Sequence, residues 1–185
     1  MWPWGHVAVG YLLYSLYHRS RVAAISGVGV FFVALGTQFP DLIDKPLGWN
    51  LGILPSGRSL AHSLITAVVI IAIAVAVARR FSREEVGWAF GLGYLSHLAT
   101  DGLYPVLEGK VIFLSYLGWP LLPIPPYEHE SVSILAHFLS MEWSAYFALE
   151  LVLTALALAL WLVDGRPGFG LLTQHLGADA QASDE

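Results

Sequence analysis

Six ionisable side chains have the types and spacing of a metal centre: His6, the pair Asp41 and Asp44, His62, and the pair His97 and Asp101. The chain has no cysteine, so any metal must be held by imidazole and carboxylate, a donor set that suits zinc first, with manganese or iron as alternatives. His97 and Asp101 stand four apart, which puts them on one helix face with Cβ atoms about 5–6 Å apart. Asp41 and Asp44 stand three apart and share a face if the helix continues past Pro40. Arg58 precedes His62 in the run Gly57-Arg58-Ser59-Leu60-Ala61-His62-Ser63, where a helix start would offer free N–H groups and a positive dipole end beside a guanidinium. That combination receives anions. A cation centre next to an anion site is what phosphoester hydrolysis requires. On this reading Asp41, His62 and Arg58 are the catalytic candidates, Arg58 clamping an anionic group.

Each residue alone has a plainer reading. His97 with Asp101 could be a structural hydrogen bond, His6 an interfacial histidine, Asp44 a helix cap, and Arg58 a side chain reaching for headgroups. The conjunction favours the centre, with Asp41, His62, His97 and Asp101 as the leading ligands and His6 and Asp44 after them. Glu128-His129-Glu130 reads first as a solvated loop charge run. Glu150, two turns into an apolar helix, requires a partner that the sequence does not name.

The elements that must position these groups are membrane segments. With 56% hydrophobic and 12% charged residues over 185 positions, and a mean hydropathy of +0.64, too little polar surface remains for a water-soluble globule. The pattern predicts an all-α, polytopic helical membrane protein of about five segments: 5–17, 22–39, 60–78, 86–103 and 143–163. Gly87, Gly91 and Gly93 give the fourth segment small residues for close helix contact. Between the last two lies a proline-broken stretch, 104–142, whose Tyr116, Trp119 and Tyr127 suit the interface, with a short helix near 131–141. Residues 1–170 read as one membrane-embedded domain, and 171–185 as a polar, disordered tail. The opening Met1-Trp2-Pro3-Trp4 lacks a basic stretch and a cleavage site, so it reads as mature sequence. The net charge of −5 offers no basic field for nucleic acid.

Six of the nine basic residues (Arg19, Arg21, Arg79, Arg80, Arg83 and Arg166) fall at one set of helix ends. These ends are therefore expected on the cytoplasmic side and the N-terminus outside. Because successive segments reverse direction, the ends carrying His6, Asp41 and Asp44, His62, and His97 with Asp101 meet at the opposite, outer face. Ionisable groups at membrane depth are costly and therefore functional candidates.

His6, Pro40-Asp41-Leu42-Ile43-Asp44, Arg58-Ser59-Leu60-Ala61-His62-Ser63 and Gly93-Tyr94-Leu95-Ser96-His97-Leu98-Ala99-Thr100-Asp101 resemble, in order and spacing, the YdjM-type membrane-bound metal-dependent hydrolases over roughly residues 1–125. The resemblance implies a multi-pass inner-membrane protein, in a family partly labelled LexA-binding and related to zinc-dependent phospholipase C and P1-type nucleases. It implies His6, Asp41, Asp44, His62, His97 and Asp101 as metal ligands. The family's His-Arg-Gly-x-Thr-His-Ser block stands here with Gly57 at its first His, Ser59 at its Gly and Ala61 at its Thr, which removes one imidazole from the set.

The expected function is a metal-dependent hydrolase acting on a phosphoester, with a membrane lipid or polyprenyl phosphate as the substrate that a site at headgroup depth would meet. The alternatives are a transporter that passes ions or protons along the same His/Asp set, and a scaffold in which the metal is structural.

Overall fold

The computed structural model describes residues 1–125, 127 and 133–170, and every regular element among them is helical. In chain order the α-helices are α1 (Pro3–Ser20), α2 (Gly27–Lys45), α3 (Leu64–Arg80), α4 (Glu84–Leu107), α5 (Ile134–Leu139) and α6 (Ala145–Val163). A π-helical turn, Pro46–Asn50, follows α2, and a 3-10 helix, Val111–Gly118, follows α4. The Glu128-His129-Glu130 run and the 171–185 tail lie outside the described residues.

Local chemistry sets several starts. Ser26, Ser63, Ser133 and Ser144 each accept a backbone N–H from the first turn of α2, α3, α5 and α6, replacing bonds that a helix start lacks. Pro3 opens α1, where its missing N–H costs nothing. Two prolines do not act as stops. α2 was expected to end at 39 and α4 at 103, yet α2 runs through Pro40 to Lys45 and α4 through Pro105 to Leu107. Tertiary packing outweighs the lost hydrogen bonds, and the continuation keeps Asp41 and Asp44 on helical backbone.

α2 and α4 form the most extensive helix pair, with α3 packed on α4 and α1 bridging α2, α4 and α6. The α2–α4 contact is backbone to backbone. A Cβ on Gly93 would lie 2.2 Å from the Val33 carbonyl oxygen of α2, and one on Gly87 would lie 2.6 Å from Val75 Cα of α3. The glycines of α4 thus serve two neighbours. Phe90, Tyr94, Leu98 and Ala67 fill the core between them.

α6 is held to α1 at both ends. Asp164 accepts from Tyr11 Oη and Ser15 Oγ, both at 2.6 Å, and from Arg19. Glu150, fully buried, accepts the Trp2 backbone N–H at 3.1 Å through Oε2, while its Oε1 has no hydrogen-bond partner among the described residues.

The burial pattern is inverted relative to a water-soluble domain. His6, Thr37, Asp41, Asp44, His62, His97, Asp101 and Glu150 are buried, while Val68, Val69, Ile73 and Val77 of α3 and Leu149, Val152, Leu156 and Leu158 of α6 face outward. Such an outer surface matches acyl chains better than water. By length and apolarity, however, α6 is the single described helix that qualifies as a span. The expected count of about five segments is not reproduced on that measure: α3 has 17 residues, and α1, α2 and α4 are diluted by the polar residues and glycines they carry.

Candidate metal centre

Four pieces of chain converge at one end of the bundle: the first turns of α1, the last turns of α2, the loop before α3, and the C-terminal half of α4. They bring His6, Asp41, His62, His97 and Asp101 into one buried cluster. His62 Nε2 lies 3.4 Å from Asp41 Oδ1 and 3.6 Å from Asp101 Oδ2. His97 Nε2 lies 3.7 Å from Asp41 Oδ1 and 3.8 Å from Asp101 Oδ2. His6 Nε2 lies 3.3 Å from Asp101 Oδ1, and the His6 and His97 rings stack with centroids 3.8 Å apart.

The hydrogen bonds at the far side of each ring fix its tautomer. His97 Nδ1 is 2.6 Å from the Thr37 carbonyl, which can only accept, so Nδ1 carries the proton. His62 Nδ1 faces the Asp44 carboxylate at 2.8 Å and likewise donates. His6 Nδ1 is 2.9 Å from Thr100 Oγ1, whose own hydrogen is directed at the Ser96 and His97 carbonyls, so His6 donates as well. In their neutral forms all three imidazoles therefore point an Nε2 lone pair into the cluster. Two of these, on His62 and His97, are 3.1 Å apart. His6 Nε2 and Asp41 Oδ1 are buried without a hydrogen-bond partner among the described residues.

Lone pairs and carboxylate oxygens crowded in this way repel unless a cation lies among them. Ligands about 2.0–2.2 Å from a zinc ion are roughly 3–3.6 Å from one another, close to the separations above. Two overlapping ligand trios, His6 with Asp41 and His97, and His62 with His97 and Asp101, have donor atoms near enough to grip one ion. The residues present fit a metal.

Asp44 stands apart from its expected place as a ligand. Its Oδ1 accepts the Ala61 N–H, and its Oδ2 accepts the N–H groups of Ser59 and His62 as well as His62 Nδ1. It orients His62 from behind, in the manner of carboxylates that back metal-bound histidines. The same bonds change the reading of the 57–63 run. The N–H cluster expected to receive an external anion instead receives the protein's own Asp44. The loop is further pinned by Tyr94 Oη, which donates to the Ala61 carbonyl at 2.5 Å.

Arg58 reaches Asp101, its Nε 2.7 Å from Oδ2. The adjoining carboxylate raises its pKa further above the ordinary arginine value, so it is a fixed cation. With Asp101 it lines a cavity of about 510 Å³, whose walls include Tyr104, Phe113, Tyr116, Tyr127 and Tyr146 and whose lining also holds Glu108 and Lys110. Asp101 also accepts from the Met1 ammonium at 3.1 Å.

Sequence reasoning missed the supporting groups. Lys45 Nζ binds Asp41 Oδ2 at 2.5 Å, leaving Oδ1 turned to the histidines. Its spacing of four from Asp41 was the available signal. Thr100 sits inside the His97–Asp101 run, and its role as acceptor for His6 depends on α1 packing against α4. Tyr116 carried no signal beyond its interfacial aromatic character.

Described elements that are all helical, an apolar exterior, buried polar residues and a His/Asp cluster at one end of the bundle define a class: a helical membrane protein organised around an internal polar centre. The chain belongs to the YdjM inner membrane protein family, whose model matches residues 1–167. The match extends well past the four motifs and includes α6. No curated protein and no solved structure matches it.

Proposed function

We propose that this protein is a membrane-bound, metal-dependent hydrolase acting on a phosphoester, with a lipid or polyprenyl phosphate as substrate. The observation that carries the reading is the convergence of three Nδ1-anchored histidines, each presenting Nε2 to Asp41 and Asp101. His6, Asp41, His62, His97 and Asp101 would hold a divalent cation, zinc first, with manganese or iron as alternatives. Asp44 acts behind His62. When bound, such a cation supplies a Lewis acid that polarises a phosphoryl oxygen and lowers the pKa of water towards about 7.

The chain's own residues supply the remainder. Arg58 holds the anionic group in the cavity that it lines beside Asp101. Lys45 compensates the second oxygen of Asp41, and Asp44, Thr37 and Thr100 keep the three imidazoles in one tautomer and orientation. The aromatic walls take the apolar part of the ester. In the membrane, α1, α2, α3, α4 and α6 correspond to the five expected segments, crossing the inner membrane as a multi-pass bundle with the centre at the outer face. The outward-facing aliphatic side chains of α3 and α6 support a lipid-facing exterior for those two helices, and the outer-face location follows from the distribution of basic residues.

Elemental analysis of the purified protein tests the ligand set. Wild type should carry a divalent metal, and His97→Ala and Asp101→Ala should lose most of it; equal content in all three removes the assignment. Metal restored to a chelated sample should restore phosphoester hydrolysis. Metal flux into liposomes without turnover would indicate transport instead.

A further inference from the structure

Tyr116 belongs to the 3-10 helix that follows α4, and it is 1% exposed. Its ring meets the His62 ring edge-on, with centroids 6.1 Å apart. It lines the same cavity as Arg58, Asp101, Tyr104 and Phe113. Its hydroxyl is buried and has no hydrogen-bond partner among the described residues. A buried O–H without an acceptor is costly and uncommon, and it calls for an explanation. Gly102, next to Asp101, leaves room there: a Cβ at that position would come within 3.8 Å of the Tyr116 hydroxyl and 3.3 Å of Leu114.

We propose that Tyr116 and Arg58 are the paired donors of an oxyanion site in this cavity, which takes the phosphoryl oxygens of the substrate beside the His/Asp cluster. The inference rests on the metal-centre reading for its chemistry, although the donor pair itself is independent of any metal. The two groups have complementary character. Arg58 is a charged donor, already oriented by its 2.7 Å bond to Asp101. Tyr116 is a neutral donor with no acceptor among the described residues, and a molecule that enters the cavity it lines would supply one. A preorganised donor of this kind needs no rearrangement when charge arrives. Among the described residues no group completes its hydrogen bond, which separates Tyr116 from Tyr94, whose hydroxyl is satisfied by the Ala61 carbonyl.

The test uses the full-length protein in detergent, with metal content measured alongside and inorganic phosphate as the probe. Tyr116→Phe removes only the hydroxyl. Metal content should be unchanged and the Tm equal to or above that of wild type, because an unsatisfied buried group is gone. Phosphate should bind about 10- to 100-fold more weakly, the loss expected for one hydrogen bond to a charged group. Equal phosphate affinity in the two proteins would overturn the inference, as would failure of wild type to bind phosphate. Loss of folding or metal in Tyr116→Phe would assign the hydroxyl a structural role and equally overturn it. As a second measurement, 3-fluorotyrosine at position 116 should show a fluorine resonance that shifts and saturates with phosphate; a resonance that stays still sinks the proposal without any variant. If wild type carries no metal, the hydrolase reading fails, yet the phosphate comparison still decides the fate of the donor pair.

Discussion

His62 and His97 face each other Nε2 to Nε2 at 3.1 Å, although the Nδ1 of each is already committed as a donor, to Asp44 and to the Thr37 carbonyl respectively. In the neutral protein two lone pairs therefore meet in a buried site, and only a proton or a metal cation relieves them. Removal of metal should lower stability, and its return should restore it. At a free metal concentration about a hundred times the dissociation constant, the gain is about 2.7 kcal/mol. A chelator titration followed by thermal unfolding reads this directly, and a Tm indifferent to chelation and to zinc would contradict the arrangement.

Asp41 and Asp44 are three residues apart on one helix but serve different purposes. Asp44→Asn places an amide where N–H groups of Ser59, Ala61 and His62 converge. It should destabilise the protein by about 1–3 kcal/mol and weaken metal binding about 10- to 100-fold. Asp41→Asn should reduce metal binding at least as much while leaving the loop before α3 intact, because Asp41 accepts none of that loop's backbone N–H groups and meets it only through the His62 ring. Metal affinity and urea unfolding, measured on both variants, separate the two. Equal stability losses would show that the division of labour is wrong.

Gly93 sets the distance between α2 and α4. Gly93→Ala forces a methyl group to within 2.2 Å of the Val33 carbonyl oxygen, whereas Gly170→Ala meets nothing within 4 Å. The first should cost about 1–3 kcal/mol or more and should also lower metal content, since Asp41 and His97 lie on the two helices being parted. The second should be neutral. Thermal unfolding and elemental analysis of the pair check both statements.

The five-segment arrangement predicts that reporters fused at Gly57 and at Glu84, at opposite ends of α3, appear on opposite sides of the membrane. Both reporters on one side would remove α3 as a spanning helix, and with it the outer-face location of the centre.

Much of the centre was legible in the sequence because helices impose short, regular spacings. His97 and Asp101 four apart, and Asp41 three before Asp44, define shared faces before any fold is known, and alternating helix direction sends four polar ends to one side. The apolar composition and the interruptions between segments similarly indicated helices near those observed. What tertiary structure alone decided was which of these groups face one another. Asp44 looks like Asp41 in sequence but is drawn to the backbone N–H groups of a loop some fifteen residues away, since a buried carboxylate goes where donors are most numerous. Pro40 and Pro105 read as stops, but the packing of α2 and α4 carries the helices through. Thr37, Thr100 and Tyr116 acquire their roles only when distant elements meet. Periodicity along a helix is a local property of the backbone; the choice of partner across the bundle is set by packing and hydrogen-bond demand, which no single segment contains.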